Sequence, residues 1–243
     1  MRVRAAAINP LEWHQVRGTP YLMRLSEGIG APKNPRIGRD FAGVVAAVGG
    51  KVTRYKVGDE IFGGGYGALS EYILVRENGV IARKPANVSF EQAAGVYVAG
   101  ITALQALRDG GGIRPGDEVL INGASGGVGT FAVQIARSLG AQVTARNRSF
   151  DAILDNVANR SLLEIRRVLK PKGKYLVIGG GDPAANPWIG AFKTPVKAAI
   201  LSRFIDQDMR FFLSDPNRQD LLTLAQLIAT GQARPVVDRR YRL

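Results

Sequence analysis

The residues best suited to chemistry lie within Glu118 to Gly140, EVLINGASGGVGTFAVQIARSLG. Gly123, Ala124, Ser125, Gly126, Gly127, Val128 and Gly129 form a small-residue turn with the spacing Ala124-x-Gly126-x-x-Gly129. This is the pattern of a dinucleotide fingerprint, with alanine for its first glycine. Positions without bulky side chains let the backbone approach a pyrophosphate. A helix starting there offers unpaired N–H groups and a partial positive charge. The same glycines would also suit a tight turn with no ligand, so the flanking elements matter. Val119-Leu120-Ile121 before the turn suits a buried strand. Val128, Phe131, Ala132, Ile135, Ala136 and Leu139 after it recur at helical spacing, and Gly140 stands as the C-terminal cap. Strand, glycine turn and helix together favour nucleotide binding over a bare turn.

A second candidate set follows from the sheet that such a unit implies. Ala141 to Ala145 is expected as the next strand. An acidic residue at its end would suit the ribose 2′-OH of NAD. The chain instead has Arg146, Asn147, Arg148 and Ser149, and arginine there fits the 2′-phosphate of NADP. Ligands of open α/β sheets sit beyond the carboxyl ends of strands. That places Asn156 and Val157, after the apolar run Asp151 to Asp155, near the cofactor. Gly179 and Gly180 follow Tyr175-Leu176-Val177-Ile178 in the same way. The spacing conflicts with a parallel sheet, however, because only residues 146–150 separate Ala145 from Asp151. Parallel neighbours need a crossover of about a dozen residues or more. The alternatives are an unusual hairpin or a missing block of sequence, of which the missing block is favoured.

The remaining elements frame these candidates. Val3 to Ile8, Phe41 to Gly49, Lys56 to Phe62 and Ala68 to Val75 read as short strands between glycine and proline turns, which suggests a small barrel-like β domain. Ser89 to Leu107 turns helical. Ser161-x-x-Glu164 is a capping box opening a helix to about Leu169. Pro171-Lys172-Gly173 reads as a turn, and Leu221, Leu224, Ala225 and Ile228 share one helical face.

Composition narrows the class. The 243 residues are 46% hydrophobic and 22% charged, the balance of a globular protein. No apolar run approaches the ~20 residues of a membrane helix, and no secretory signal pattern opens the chain. These features point to a cytoplasmic protein without membrane contact. There is no cysteine, which excludes disulfides and thiolate metal sites. The single histidine, His14, cannot build a zinc site by itself. The net charge of +13 comes from scattered basic residues with no aromatic-interleaved stripe, so a solvated basic surface is preferred to nucleic-acid binding.

The ordered motifs AAAINPLEW, IGRDFAGVVAAVG, YKVGDEIFG, GALSEYI, GITALQAL and INGASGGVG resemble the medium-chain dehydrogenase/reductase superfamily, specifically its zinc-independent quinone oxidoreductase-like branch. The resemblance covers nearly the whole chain. It implies an α/β protein with a GroES-like β-rich catalytic domain over 1–98 (its N-terminal strand absent) and a Rossmann NADP-binding domain over 99–236. A truncated return segment to the catalytic domain would occupy 237–243. It also implies a further strand and helices between Ala145 and Asp151, and a homodimer. Zinc-dependent relatives carry Gly-His-Glu where this chain has Gly38-Arg39-Asp40. The ligand histidine is therefore arginine.

The resemblance places Asn9 near the nicotinamide ribose or substrate, and His14 where several relatives carry a substrate-facing tyrosine. Tyr21 lies near a second such position, and Thr102 matches a nicotinamide contact. A histidine with a pKa of ~6.5 would suit proton donation to an enolate or semiquinone product, although packing is an equally good role for His14. The expected activity is hydride transfer from NADPH to a quinone or an α,β-unsaturated carbonyl. The alternative is a truncated, catalytically weak relative acting as a nucleotide- or partner-binding protein.

Overall fold

The computed structural model describes residues 1–144, 149–179, 188 and 193–242. It divides into two compact units. The first comprises Met1–Arg17, Ile29–Ile101 and Asp215–Leu243. The second comprises Gly18–Gly28 and Thr102–Ser214.

The first unit is built on an antiparallel sheet of β1 (Arg2–Ala7), β2 (Asp40–Val44), β3 (Glu60–Gly64) and β4 (Ile81–Arg83), in that order. Phe41, Val45, Tyr55, Ile61, Ala68, Ile73 and Ile81 form its core. The segment expected as a fourth strand, Ala68 to Val75, is irregular. Its backbone meets the start of the chain through Val3 N–H to Glu71 O and Ile73 N–H to Met1 O, with one isolated bridge between Arg2 and Tyr72. The fourth strand is the shorter Ile81–Arg83, too brief to show a period. Helix α1 (Pro10–Arg17) follows β1. Further on, α3 (Phe90–Ala94) starts at a Ser89/Gln92 capping box. The short α2 (Arg24–Glu27) belongs to the second unit. Helix α4 (Tyr97–Gln105) spans the division at Ile101.

The second unit holds a parallel sheet of β5 (Glu118–Asn122), β6 (Gln142–Val143), β7 (Phe150–Asp155), β8 (Leu169–Val177) and β9 (Asp208–Phe211), ordered β6-β5-β7-β8-β9. Helices α5 (Gly127–Ser138), α6 (Leu162–Val168) and α7 (Lys193–Leu201) connect these strands. Phe150, Ile153, Ile165, Leu169, Tyr175, Val177, Ala198 and Met209 make the core. The expected capping box at Ser161 and Glu164 is present. Pro171-Lys172-Gly173 lies inside β8 rather than at its start. Lys172 has φ 62°, and the pairing with β7 shifts between Phe150 and Ala152, so the turn-forming residues become an irregularity within the strand.

The units differ from the expected domains: Gly18–Gly28 lies in the second unit, the division falls after Ile101, and the chain returns earlier than 237. Helix α8 (Arg218–Ala229) belongs to the first unit, so the chain returns at Asp215 and not at 237. Its buried Leu224 packs against Gly100, where a Cβ would come within 3.0 Å of it, and Asn87 Nδ2 donates to Ile228 O. Of the two alternatives for the passage from β6 to β7, the hairpin does not hold among the described residues: each strand pairs in parallel with β5, from opposite sides. An open doubly wound sheet in the order 3-2-1-4-5-6 is thus represented by its 2-1-4-5-6 part among the described residues.

Candidate functional site

The turn between β5 and α5 is shaped by two glycines under different constraints. A Cβ on Gly129 would stand 2.1 Å from Gly123 O and 2.7 Å from Ala124 Cα, so the first turn of α5 packs directly on the backbone it leaves. A Cβ on Gly126 would meet only Gly123 O, at 3.5 Å. Gly126 is the N-cap of α5 in extended conformation (φ −78°, ψ 172°), with no side-chain cap bond. The first helical bond runs from Thr130 N–H to Gly126 O, 2.9 Å. The N–H groups of Gly127, Val128 and Gly129 precede any intrahelical partner. Ala124 to Gly127 are exposed. An exposed backbone with unpaired donors and open Cβ space can receive a pyrophosphate. The residues present therefore fit a dinucleotide.

The carboxyl ends of β7 and β8 stand beside this turn. Gly123, if it had a Cβ, would meet Val157 Cγ2 at 2.8 Å and Asn156 Cβ at 3.2 Å. Gly179 approaches so closely that its Cβ would lie 2.1 Å from Asn156 O. The sheet thus brings Gly123, Asn156, Val157 and Gly179 together as expected from its topology. Arg146, Asn147, Arg148 and Gly180 lie outside the described residues.

The side chain that organises this corner is Asp155, which the sequence signals only as a polar residue ending an apolar strand. It is fully buried. Its carboxylate accepts from Tyr175 Oη at 2.7 Å, Asn122 Nδ2 at 2.8 Å, Val157 N at 3.0 Å and Ala158 N at 2.7 Å. These bonds set the Asn156–Ala158 turn, in which Ala158 adopts φ 55°. Burial, then the charge of Asp155, pushes the Tyr175 phenol far above its ordinary range. Thr102 is buried in α4, with its hydroxyl 3.1 Å from that of Ser214.

The first unit carries a separate polar cluster. Asn9 N donates to Glu12 Oε2 at 2.6 Å, and Glu12 N donates back to Asn9 O at 3.1 Å, which caps α1. Glu12 and the fully buried Asp40 are both interior acids. Asp40 accepts from Val98 N at 3.1 Å. Burial raises its carboxyl well above the ordinary carboxylate range, and the Glu12 charge adds to the rise against the Val98 bond. Of the three expected catalytic side chains, Asn9 belongs to this cluster. His14 is half-buried on α1, edge-on to Trp13 at 5.0 Å. Tyr21 falls in the second unit, edge-on to Trp188 at 5.3 Å with the Arg24 guanidinium over its ring at 4.3 Å.

Comparison with known proteins gives two family matches. Residues 1–86 match "Alcohol dehydrogenase GroES-like domain", and residues 130–243 match "Zinc-binding dehydrogenase". The chain is 36% identical over 211 residues to the chloroplastic quinone-oxidoreductase homolog of Spinacia oleracea, covering 77% of this chain and 60% of that protein. It is 38% identical over 156 residues to the spectinabilin polyketide synthase system protein NorB of Streptomyces orinoci, covering 63% of this chain and 7% of that one. The chain thus spans less than two thirds of either relative. Its fold matches the apo JamJ enoyl reductase with a TM-score of 0.79 at 21% identity, covering 98% of this chain and 81% of that one. The zinc named in the second family match does not fit the residues here. The sequence has no cysteine and one histidine. Among the described residues no three His, Asp or Glu side chains converge to hold a metal.

Proposed function

The chain belongs to the medium-chain dehydrogenase/reductase superfamily, in its quinone oxidoreductase-like branch, and from that we propose that it reduces a quinone or an α,β-unsaturated carbonyl with NADPH, without zinc. Proteins of this superfamily bind nicotinamide dinucleotides, and the related proteins include a quinone-oxidoreductase homolog and a polyketide synthase protein. The observation that carries the proposal is the open glycine turn, where Gly126 leaves room over the exposed N-terminus of α5.

NADPH held there supplies a hydride. The chain's own residues bind and orient. Gly126 and the first N–H groups of α5 receive the pyrophosphate, and Asn156, Val157 and Gly179 wall the same corner. Arg146 and Arg148 are assigned to the 2′-phosphate, with Asn147 between them and Gly180 beside Gly179. Asn9, His14, Tyr21 and Thr102 remain the proposed contacts to the reacting groups.

Titration with NADPH and NADH, followed by a panel of quinones and enones, tests the proposal. Changing Arg146 and Arg148 together to alanine should weaken NADPH about tenfold or more while sparing NADH, since a charge-assisted bond is worth ~1.5–3 kcal/mol. Turnover should survive a chelator. Absence of binding to either nucleotide would discard the enzyme. A second function, nucleotide or partner binding without appreciable catalysis, is favoured by the short β6–β7 passage. Tight nucleotide binding with no turnover of any acceptor would select it.

A further inference from the structure

We propose that Arg39 is a substrate-contacting residue that binds the oxygen on which negative charge develops during reduction. This deepens the proposed oxidoreductase function and rests on it. Three observations converge on the side chain. The guanidinium stacks over Tyr66, its Cζ 3.6 Å from the ring centroid. Its Nε is buried and has no hydrogen-bond partner. Among the described residues, no carboxylate or carbonyl accepts from any of its nitrogens. Stacking on an aromatic face leaves the edge of the planar fork, where the donors point, unobstructed by the ring. Buried donors normally find an acceptor, and one left unpaired is costly.

The backbone holds Arg39 firmly. Its carbonyl accepts from Gly65 N at 2.8 Å, which ties it to the loop that carries Tyr66. The next residue, Asp40, opens β2. Asp40 stands next in sequence, but its carboxyl points into the cluster with Asn9 and Val98. Burial is the largest influence on Asp40 and raises its pKa, whereas the Arg39 charge is the weakest of the causes acting on it, so the two are only weakly coupled. Tyr97 lies across Gly64 on the same strand end, where a Gly64 Cβ would fall 2.1 Å from its ring. A permanent cation held by an aromatic ring, with its donors unspent, suits a planar conjugated ligand bearing a partly or fully negative oxygen.

The chemistry requires such a group. In conjugate reduction a hydride adds to the carbon β to the carbonyl. The π electrons shift to give an enolate, whose oxygen becomes negative, and a solvent proton at the α carbon completes the reduction. For a quinone the same two electrons give a hydroquinone anion that takes a proton on oxygen. The charge appears on a former carbonyl oxygen in both cases. Preorganised donors at that oxygen lower the barrier. The residues exclude a zinc site of the related dehydrogenases, and a guanidinium at Gly38-Arg39-Asp40 offers a fixed positive charge in its place.

The test combines a binding probe with turnover. The probe is 4-nitrophenolate, a planar oxyanion titrated by its absorbance against wild type, Arg39→Gln, Arg39→Lys and Tyr66→Ala. Wild type should bind it, Arg39→Gln should lose at least tenfold in affinity, and Arg39→Lys should recover part of the loss. Among acceptors turned over, Arg39→Gln should lower kcat most for the weakly activated enones and least for electron-poor quinones. If Arg39→Gln does not fold, Tyr66→Ala carries the comparison, since it loosens the guanidinium without removing it and should also weaken the probe. Equal affinity in wild type and the folded variants, or no binding by wild type, overturns the proposal. A probe that separates the variants while no acceptor is reduced leaves the anion site standing and rejects the oxidoreductase function.

Discussion

Gly126 and Gly129 sit three residues apart in one turn, and substitution should separate them cleanly. At Gly126 a side chain enters space bounded only by Gly123 O at 3.5 Å. Gly126→Val should therefore cause no overpacking and keep the fold, losing only the ~1 kcal/mol of a poorer N-cap residue. It should raise the nucleotide Kd by ~100-fold or more, or ~2.7 kcal/mol, because the branched side chain fills the place of the pyrophosphate. At Gly129 a methyl would overlap Gly123 O at 2.1 Å. Gly129→Ala should cost ~1–3 kcal/mol of stability by overpacking, whether or not nucleotide is present. Thermal melts and nucleotide titrations on both variants check this, and an unfolded Gly126→Val would contradict it.

The pH response belongs to Asp40. Its folded-state pKa is raised by burial and then by Glu12, so the folded chain holds the proton more tightly than the unfolded chain does. The resulting stability is complete below the unfolded value and is lost as pH rises through the folded one. Asp40→Asn, which keeps an acceptor for Val98 N, should match wild type near pH 3. It should become the more stable of the two as pH climbs above the ordinary carboxylate range. Denaturant midpoints from pH 3 to 8 measure this, and a wild-type advantage that grows with pH would refute it.

Between β7 and β8 the element-level question is what holds the corner of the sheet. Asp155 takes four donors, two from side chains and two from the backbone of the following turn. Tyr175→Phe removes one donor and leaves the carboxylate well supplied, so the loss should be ~1–2 kcal/mol. Asp155→Ala strands the Tyr175 hydroxyl and the Val157 and Ala158 amides, leaving Asn122 Nδ2 only its bond to Asn159 Oδ1. It should cost at least ~3 kcal/mol, with the Val157 and Ala158 amides exchanging faster. Equal melting midpoints for the two variants would show that the carboxylate does not organise the turn.

The same corner shows what the sequence could express. β5, the glycine turn and α5 were legible because a strand run, a small-residue turn and a helical period follow one another without interruption. Ser161 and Glu164 announced α6 through a purely local bond pair. Asp155 was not legible as a hub, because its partners Asn122 and Tyr175 lie 33 and 20 residues away. The same holds for Arg39, whose stacking partner Tyr66 comes from a separate loop. β4 was missed because three residues carry no period. α8 is legible as a packing helix, but its apolar stripe does not name the surface it covers, which lies in the first unit.

At the scale of the whole molecule the sheet is the anomaly. Among the described residues β6 has two residues, paired with Glu118 and Val119, and β7 pairs along the other side of β5 from Ala152, opposite Val119. Six residues, Thr144 to Ser149, lie between β6 and β7 in the sequence. The position of a third strand beyond β6 is unfilled among the described residues. In a doubly wound sheet that side supports the adenosine half of the cofactor, while the turn after β5 holds the pyrophosphate. The adenosine half should then contribute little affinity here. Reduced nicotinamide mononucleotide, which lacks adenosine, is the direct comparison. NADH rather than NADPH is its proper partner, because NADH has no 2′-phosphate for Arg146 and Arg148 to hold. With the pyrophosphate interaction partly shared by both ligands, their dissociation constants should lie within about tenfold, or ~1.4 kcal/mol. Isothermal titration of the two ligands decides it. A difference of a thousandfold would mean that a full adenosine pocket exists, built by residues between β6 and β7, and that the short passage costs the molecule nothing in cofactor binding.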